Sequence, residues 1–303
     1  APEIIFFWVA RMIVAGYEYR NEMPFKNVYF TGIVRDKQRR KMSKSLGNSP
    51  DPIELMKKYG ADGVRAGMLF SAPAGNDLLF DEKLCEQGRN FSNKLWNGFR
   101  LIQTLKVTDE GKDQSLATDW INSRFNEVLN EVEDHFSKYR ISDALLSLYT
   151  FIWDDFCSWY LEIIKDNSIS DKTHKGTLAV LDKILKALHP FMPFITEELW
   201  NQIDDDRGYI MLSDYPSPEK FDDSLNNDFK KIFEIVTGLR KLKSDNKIKQ
   251  IDVVEVMVNQ KSEFDFNKYS DLIEKLSKTK NLDVVNEIPG KYPTLISGKD
   301  TLC

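Results

Sequence analysis

Six cations, Arg35, Lys37, Arg39, Arg40, Lys41 and Lys44, fall within ten residues and face a single acid, Asp36. Inside that stretch Lys41-Met42-Ser43-Lys44-Ser45 sets two ammonium groups three positions apart, with small polar residues around them. Such mobile point charges, each with three donors, can converge on one polyphosphate. Ser43 and Ser45 add hydroxyl donors, and Gly47 lets the backbone come close. When a nucleotide loses pyrophosphate, negative charge grows on the leaving group. A cation that tightens onto it only at that moment lowers the barrier. A flexible loop suits the role because it can close after the nucleotide binds. A solvated charge run is the plainer reading of most basic stretches. A given pentapeptide, however, arises by chance in a chain this long in about one case in ten thousand.

The other reactive residue types offer little. Cys85, Cys157 and Cys303 are odd in number, far apart and without CxxC spacing, as expected of thiols in a reducing compartment. His135, His174 and His189 form no metal-ligand spacing, so no protein-bound metal is expected. The net charge of −5 does not suggest nucleic acid, but a global sum hides local fields. No apolar run reaches the ~18 residues of a membrane span. Ile4 to Gly16 is apolar but carries Arg11 and lacks a basic leader and a small-residue cleavage pattern, so it does not read as a signal peptide. A cytoplasmic location is expected. The chain opens without Met, directly in a core-like segment, as a cut inside a larger fold would look.

At 303 residues there is room for two or three domains of roughly 100–200 residues each. Residues 1–78 mix helix and strand. Ile4 to Ala15 reads as a buried helix and Asn27 to Thr31 as a short strand ending at Gly32. After the basic loop, Asp51, Pro52 and Glu54 give a helix start that Gly60 stops, and Asp62 reads as the cap of a second helix towards Phe70. From residue 79 to 216 the period is helical. Leu84, Gly88, Phe91, Leu95, Gly98, Ile102 and Leu105 form one seam. Helices are predicted over Ser115–Lys138, Ser142–Lys165 and Thr173–Leu188, the last ended by His189-Pro190. Four amphipathic helices with short connections imply an antiparallel bundle. Residues 217–303 read as a small, incomplete α/β appendage, with helices near Asn227–Lys243 and Lys268–Lys278 and strands near Ile251–Val258 and Leu282–Val285. The fold class is thus mostly α with α/β.

Lys41-Met-Ser-Lys-Ser-Leu-Gly-Asn48, followed by Asp51-Pro52 and Tyr59-Gly-Ala-Asp62, resembles the second signature of class I aminoacyl-tRNA synthetases. The resemblance implies the end of a Rossmann-type catalytic domain over 1–78 and a helical-bundle anticodon-binding domain over 79–216. It makes Lys44 the match of the family's ATP-contacting lysine and Lys41 its partner, with Met42, Ser43 and Ser45 beside them. ATP, with Mg2+, enters as substrate. Ile4-Ile-Phe-Phe-Trp-Val-Ala-Arg-Met12 is similar to a helix of the valine-specific branch, whose positions matching Ile4 and Trp8 line the amino-acid pocket. Apolar walls sizing a small branched side chain fit that role. Glu3 departs from the Gly and Asp usual at the start of this helix. Ala74-Gly-Asn-Asp77, Phe80-Asp-Glu82 and Gly88 to Asn97 also resemble the valine branch; Asp155 to Glu162 and His189 to Trp200 resemble the shared anticodon-binding domain. The implied partners are tRNA(Val), ATP and valine, with a monomer expected. The isoleucine and leucine branches, or a non-catalytic RNA-binding module, are the alternatives. Because no His-Ile-Gly-His signature stands in the sequence, the chain by itself is expected to be inactive.

On the first bundle helix the seam leaves Arg89, Asn93, Lys94, Asn97 and Arg100 outside or flanking, with Trp96 among them. Guanidinium, amide and ammonium groups around an aromatic ring are what unpaired RNA bases and their phosphates need. These five residues are the predicted tRNA contacts.

Overall fold

The computed structural model describes residues 4–72, 76–290 and 292–303. Glu3, Ala74 and Gly75 lie outside the described residues. The helices are α1 (Ala10–Arg20), α2 (Pro52–Tyr59), α3 (Ala61–Phe70), α4 (Glu82–Thr104), α5 (Ser115–Ser137), α6 (Ile141–Thr150), α7 (Leu161–Ile164), α8 (Asp171–Leu188), α9 (Pro193–Ile203), α10 (Asp223–Asp245) and α11 (Phe266–Ser277). The strands are β1 (Val34–Arg35), β2 (Leu78–Leu79), β3 (Val107–Lys112), β4 (Val254–Asn259), β5 (Thr279–Val285), β6 (Leu295–Ser297) and β7 (Asp300–Leu302). The expected mostly helical fold with minor strands is what the chain adopts.

Two compact units interleave along the chain. The first gathers Ala1–Thr104, Phe125–Cys157 and Thr177–Glu219. Within it α3 and α4 pack backbone against backbone. A Cβ on Gly88 would lie 2.5 Å from the carbonyl oxygen of Gly63, and one on Gly67 would lie 2.6 Å from the amide nitrogen of Cys85. The seam of α4 is buried as its period demands, through Cys85, Gly88, Phe91, Leu95, Gly98, Phe99 and Ile102. Tyr149 meets Phe91 and Phe70 edge to face at 4.9 and 5.3 Å.

The second unit gathers Leu105–Arg124, Ser158–Gly176 and Lys220–Cys303. Its four-stranded sheet has the order β5-β4-β7-β6. β4 and β5 pair in parallel across α11, while β4/β7 and β6/β7 are antiparallel. The short strands β6 and β7 have no counterpart in the sequence reading. Trp120 stacks on Phe229 at 4.6 Å and Trp159 on Phe233 at 4.2 Å. Lys243 is buried, its ammonium donating to the carbonyls of Asp252, Ser277 and Lys278 at 2.8, 3.0 and 2.7 Å.

Several local expectations need correction. The apolar segment from Ile4 is helical, opening with a π turn over Ile5–Val9, but none of its residues is buried, and Phe6 is 82% exposed. Apolar composition favours burial only where another element supplies a facing surface. Asn27–Thr31 forms no strand; the ladder lies at Val34–Arg35, where Leu78–Leu79 supplies the partner backbone. The helix predicted over Ser142–Lys165 contains a π segment at Phe151–Tyr160. The strand predicted from Ile251 begins at Val254, and Ile251 and Val253 are exposed.

Asp62 does not cap its own helix, whose N-cap is Gly60. Its buried carboxylate instead accepts from the backbone N–H groups of Phe194 and Ile195, at 3.4 and 2.7 Å, in the first turn of α9. Pro193 opens that helix without an N–H, so these are its first two donors. Arg65, one turn further along α3, donates to the carbonyls of Phe191 and Pro190 at 3.1 and 3.2 Å.

Candidate functional site

The lysine loop grows out of β1. Ile33 and Phe80 bracket the short β1/β2 ladder, the Leu78 N–H donating to the Ile33 carbonyl at 2.9 Å and the Phe80 N–H to the Arg35 carbonyl at 3.0 Å. Asp77 reinforces this base, accepting from the Ile33 N–H at 3.0 Å and pairing with the Arg35 guanidinium. Those bonds, the Ile33 amide first, hold its carboxyl below the usual range.

From that base the chain turns tightly through Asp36 to Arg40. Arg39 takes a left-handed conformation at φ 63°, and Arg35 and Lys41 bridge in antiparallel fashion. The Asp36 carboxylate accepts from the amides of Gln38 and Arg40 at 3.0 and 2.9 Å, from Arg40 Nε at 2.8 Å and from Asn48 Nδ2 at 2.9 Å. The Asn48 amide, followed by the Arg40 groups, brings its pKa down to about 2. An acid met in the sequence only as a counter-charge is therefore the anchor of the turn.

The pentapeptide itself is a compact coil. Ser43 N–H donates to Asn48 Oδ1 at 2.9 Å, Leu46 N–H to Ser43 Oγ at 3.3 Å, and Gly47 N–H to the Lys44 carbonyl at 3.2 Å. Ser43 Oγ and Ser45 Oγ stand 3.2 Å apart, and Met42 N–H donates to the Val34 carbonyl at 3.2 Å. Gly47 turns the chain back at φ 63°, a conformation that a side chain would strain. Lys44 and Ser45 are exposed, Met42 and Ser43 half-buried, and Lys41 lies on the exposed side. The Lys44 ammonium makes no ion pair or hydrogen bond among the described residues.

Behind the loop lies a cleft of about 540 Å³, lined among others by Asp36, Asn48, Tyr59, Asp81, Glu82 and Glu86. Lys37 pairs with Asp81 at 3.4 Å, and Glu82 accepts from Lys58 and the Tyr59 hydroxyl at 3.2 and 3.0 Å. These carboxylates disfavour a polyphosphate in the cleft itself.

The other predicted site residues fare differently. Ile4 and Trp8 are exposed on the first helical segment, with the Arg11 guanidinium 5.0 Å over the Trp8 ring. No hydrogen bond, ion pair or ring contact joins them to the loop among the described residues. On α4 the five predicted RNA contacts separate into two groups. Asn93, Asn97 and Arg100 are exposed along one stripe, spaced four and three apart. Arg89 and Lys94 are half-buried, Arg89 5.7 Å over the Tyr59 ring and 3.6 Å from Glu86, Lys94 5.3 Å over the Trp153 ring. Trp96 is half-buried too. Asn48, given no role of its own in the sequence reading, is the residue that this reading missed; its amide ties are invisible until residues 36, 41, 43 and 48 are brought together.

A basic, serine-lined loop on a parallel ladder, followed by long helices, defines the class, and comparison with known families agrees. Residues 2–81 match the family model described as tRNA synthetases class I (I, L, M and V), and residues 118–258 match the anticodon-binding domain of tRNA ligase. The chain thus carries a segment of class I tRNA synthetase type and a segment of the anticodon-binding type of tRNA ligases. α4, with its predicted RNA contacts, falls between the two matches. The fold resembles that of the ternary LeuRS-tRNA-LeuAMS complex of Agrobacterium radiobacter K84, at 19% identity and a TM-score of 0.52 over 71% of this chain and 27% of that one. Relatives with higher identity include valine–tRNA ligases. That of Christiangramia forsetii is 50% identical over 94% of this chain and 33% of its own length, and that of Phocaeicola vulgatus 53% over 85% and 30%. The enzyme of Parabacteroides distasonis is 47% identical over 98% of the chain, so the similarity takes in the closing residues as well. The chain spans about a third of the length of these relatives.

Proposed function

We propose that this chain supplies two functions of a valine-activating tRNA ligase: stabilisation of the ATP polyphosphate and binding of tRNA(Val) near its anticodon. In the whole reaction valine and ATP, the latter carrying Mg2+ as part of the substrate, give valyl-adenylate and pyrophosphate, and the valyl group then passes to the terminal adenosine of the tRNA. The division into 1–78, 79–216 and 217–303 is our proposal for how catalysis, RNA binding and the appendage are shared along the chain. Ile4 and Trp8 are proposed as walls of the valine pocket.

The observation that carries the reading is the exposed Lys44 ammonium, uncommitted to any group among the described residues, at the corner of a coil held by the amides of Ser43, Leu46 and Gly47. Charge on departing pyrophosphate is what such a group stabilises best, and Lys41 stands three residues before it. The test is Lys44→Ala in a ligase of the relatives' full length carrying this sequence. Valine-dependent ATP–pyrophosphate exchange is expected to lose about 10²–10³ in kcat, with a smaller change in the KM for ATP. An undiminished kcat overturns the reading.

A further inference from the structure

We propose that Asn48 is the positioning residue of the lysine loop: its side-chain amide, bound at once to Asp36, Lys41 and Ser43, sets the spacing at which Lys41 and Lys44 meet a polyphosphate. The inference rests on the phosphate-clamp reading of those lysines and adds to it a residue outside the pentapeptide.

The geometry leaves the amide no spare function. Its oxygen takes the Ser43 N–H at 2.9 Å, in the middle of the pentapeptide. Its nitrogen donates to Asp36 Oδ2 at 2.9 Å, in the turn before the pentapeptide, and to the Lys41 carbonyl at 3.4 Å, at its first residue. One side chain thus ties together three points of a segment that is joined to β1 only at its start, through Lys41 and Met42. Gly47, at φ 63°, is what brings the chain back far enough for Asn48 to reach all three. Asp36 has two further tasks, holding the Gln38 and Arg40 amides and the Arg40 guanidinium, so the amide joins the turn and the coil into one closed network. Both a donor and an acceptor are required at position 48. Aspartate lacks the donor and would set a carboxylate against that of Asp36; alanine lacks both.

Two ammonium groups act together on one leaving group only if their backbone positions are fixed before the charge develops. With Asn48 removed, the coil from Lys41 to Gly47 loses the ties that join it to the Asp36 turn through this amide while Met42 stays on Val34, and part of its ordering is deferred to the transition state. The effect falls on kcat and not on ground-state affinity.

The test uses a ligase of the relatives' length carrying this sequence, with Lys44→Ala as the reference variant. For Asn48→Ala, kcat in valine-dependent ATP–pyrophosphate exchange is expected to fall by about tenfold or more, with KM for ATP within about threefold of wild type. Asn48→Asp falls at least as far. Combining Asn48→Asp with Asp36→Asn restores one amide–carboxylate contact but neither the donor to the Lys41 carbonyl nor the second acceptor for Arg40, so it recovers only part of the lost kcat. In the 303-residue chain the Ser43 amide loses hydrogen-exchange protection in Asn48→Ala, while the melting temperature holds. A wild-type kcat in Asn48→Ala beside an impaired Lys44→Ala overturns the positioning role and leaves the clamp standing. An unimpaired Lys44→Ala overturns the clamp, and the role of Asn48 with it. A kcat loss matched by equal losses in KM and thermal stability shows a merely structural residue and overturns the proposal.

Discussion

Replacing Asp62 tests how far a single carboxylate secures the corner before α9. The perturbation is Asp62→Ala, with Asp62→Asn as its companion. Alanine leaves the N–H groups of Phe194 and Ile195 without their acceptor, and Met192 at the N-cap supplies no side-chain acceptor in its place. A buried donor left unsatisfied costs about 1–3 kcal/mol, and loss of an N-cap acceptor typically costs about 1 kcal/mol. The Ile195 bond, at 2.7 Å, carries most of this, and the Phe194 bond, at 3.4 Å, only a fraction. Against the loss stands the cost of burying the charge. Desolvation raises the Asp62 pKa above its usual value despite the two amides and the nearby Arg65. The balance is a destabilisation of about 2 kcal/mol, which for a unit of this size lowers Tm by about 4–8 °C. Asparagine keeps an acceptor and sheds the charge, so its cost is below about 1 kcal/mol.

The sign of the pH dependence follows from the same shift. A carboxyl with a raised native pKa binds its proton more tightly when folded. Its contribution to stability is therefore largest at low pH, and it declines as pH rises from the unfolded value near 3.8 through the raised native one. Asp62→Asn removes that slope. Thermal melts from pH 4 to pH 7, with hydrogen exchange at Ile195, read both effects. A Tm for Asp62→Ala within about 1 °C of wild type, or an Ile195 amide still protected in it, refutes the reasoning.

Two further outcomes are expected. On α4, the exposed stripe should bind RNA more directly than the cations docked on rings, so Asn93→Ala/Asn97→Ala/Arg100→Ala should weaken tRNA binding more than Arg89→Ala/Lys94→Ala. Filter binding over a salt series checks this, with the log–log slope becoming shallower by about one for each phosphate no longer neutralised. At the loop, Asp36 is ionised down to about 2, so its ties contribute stability above the unfolded pKa near 3.8 and are lost only as pH falls towards 2. Exchange protection of the Arg40 and Ser43 amides should therefore survive at pH 4, which hydrogen-exchange mass spectrometry or NMR can follow.

What was legible in the sequence was whatever depends on near neighbours. The seam of α4 could be read because its apolar residues recur three and four apart, and α2 because Asp51, Pro52 and Gly60 mark both its ends; Asp51 Oδ1 does accept from Ile53 N–H, at 2.8 Å. The lysine loop was legible from residue types alone. The role of Asp62 was not, because its partners lie 132 and 133 residues away and a carboxylate early in a helix looks like a local cap. The π segment hides for another reason: Phe151 to Tyr160 has an apolar pattern that an α-helix would present equally well. β6 and β7 are three residues each, too short for a period to show, and exist through pairing with each other and with β4. The exposure of Phe6 and Trp8 was not legible at all, since apolar residues announce a need for cover and not its presence.

The glycine contacts between α3 and α4 bear on motion. Where peptide groups rest directly on one another there are no side chains to swap rotamers, and neither helix can slide past its neighbour without a steric collision. α3 and the stripe of α4 that we assign to RNA therefore keep one relative position. Any opening or closing of the loop has to be accommodated by its own backbone torsions, between the Asp36 turn and the cap at Asp51.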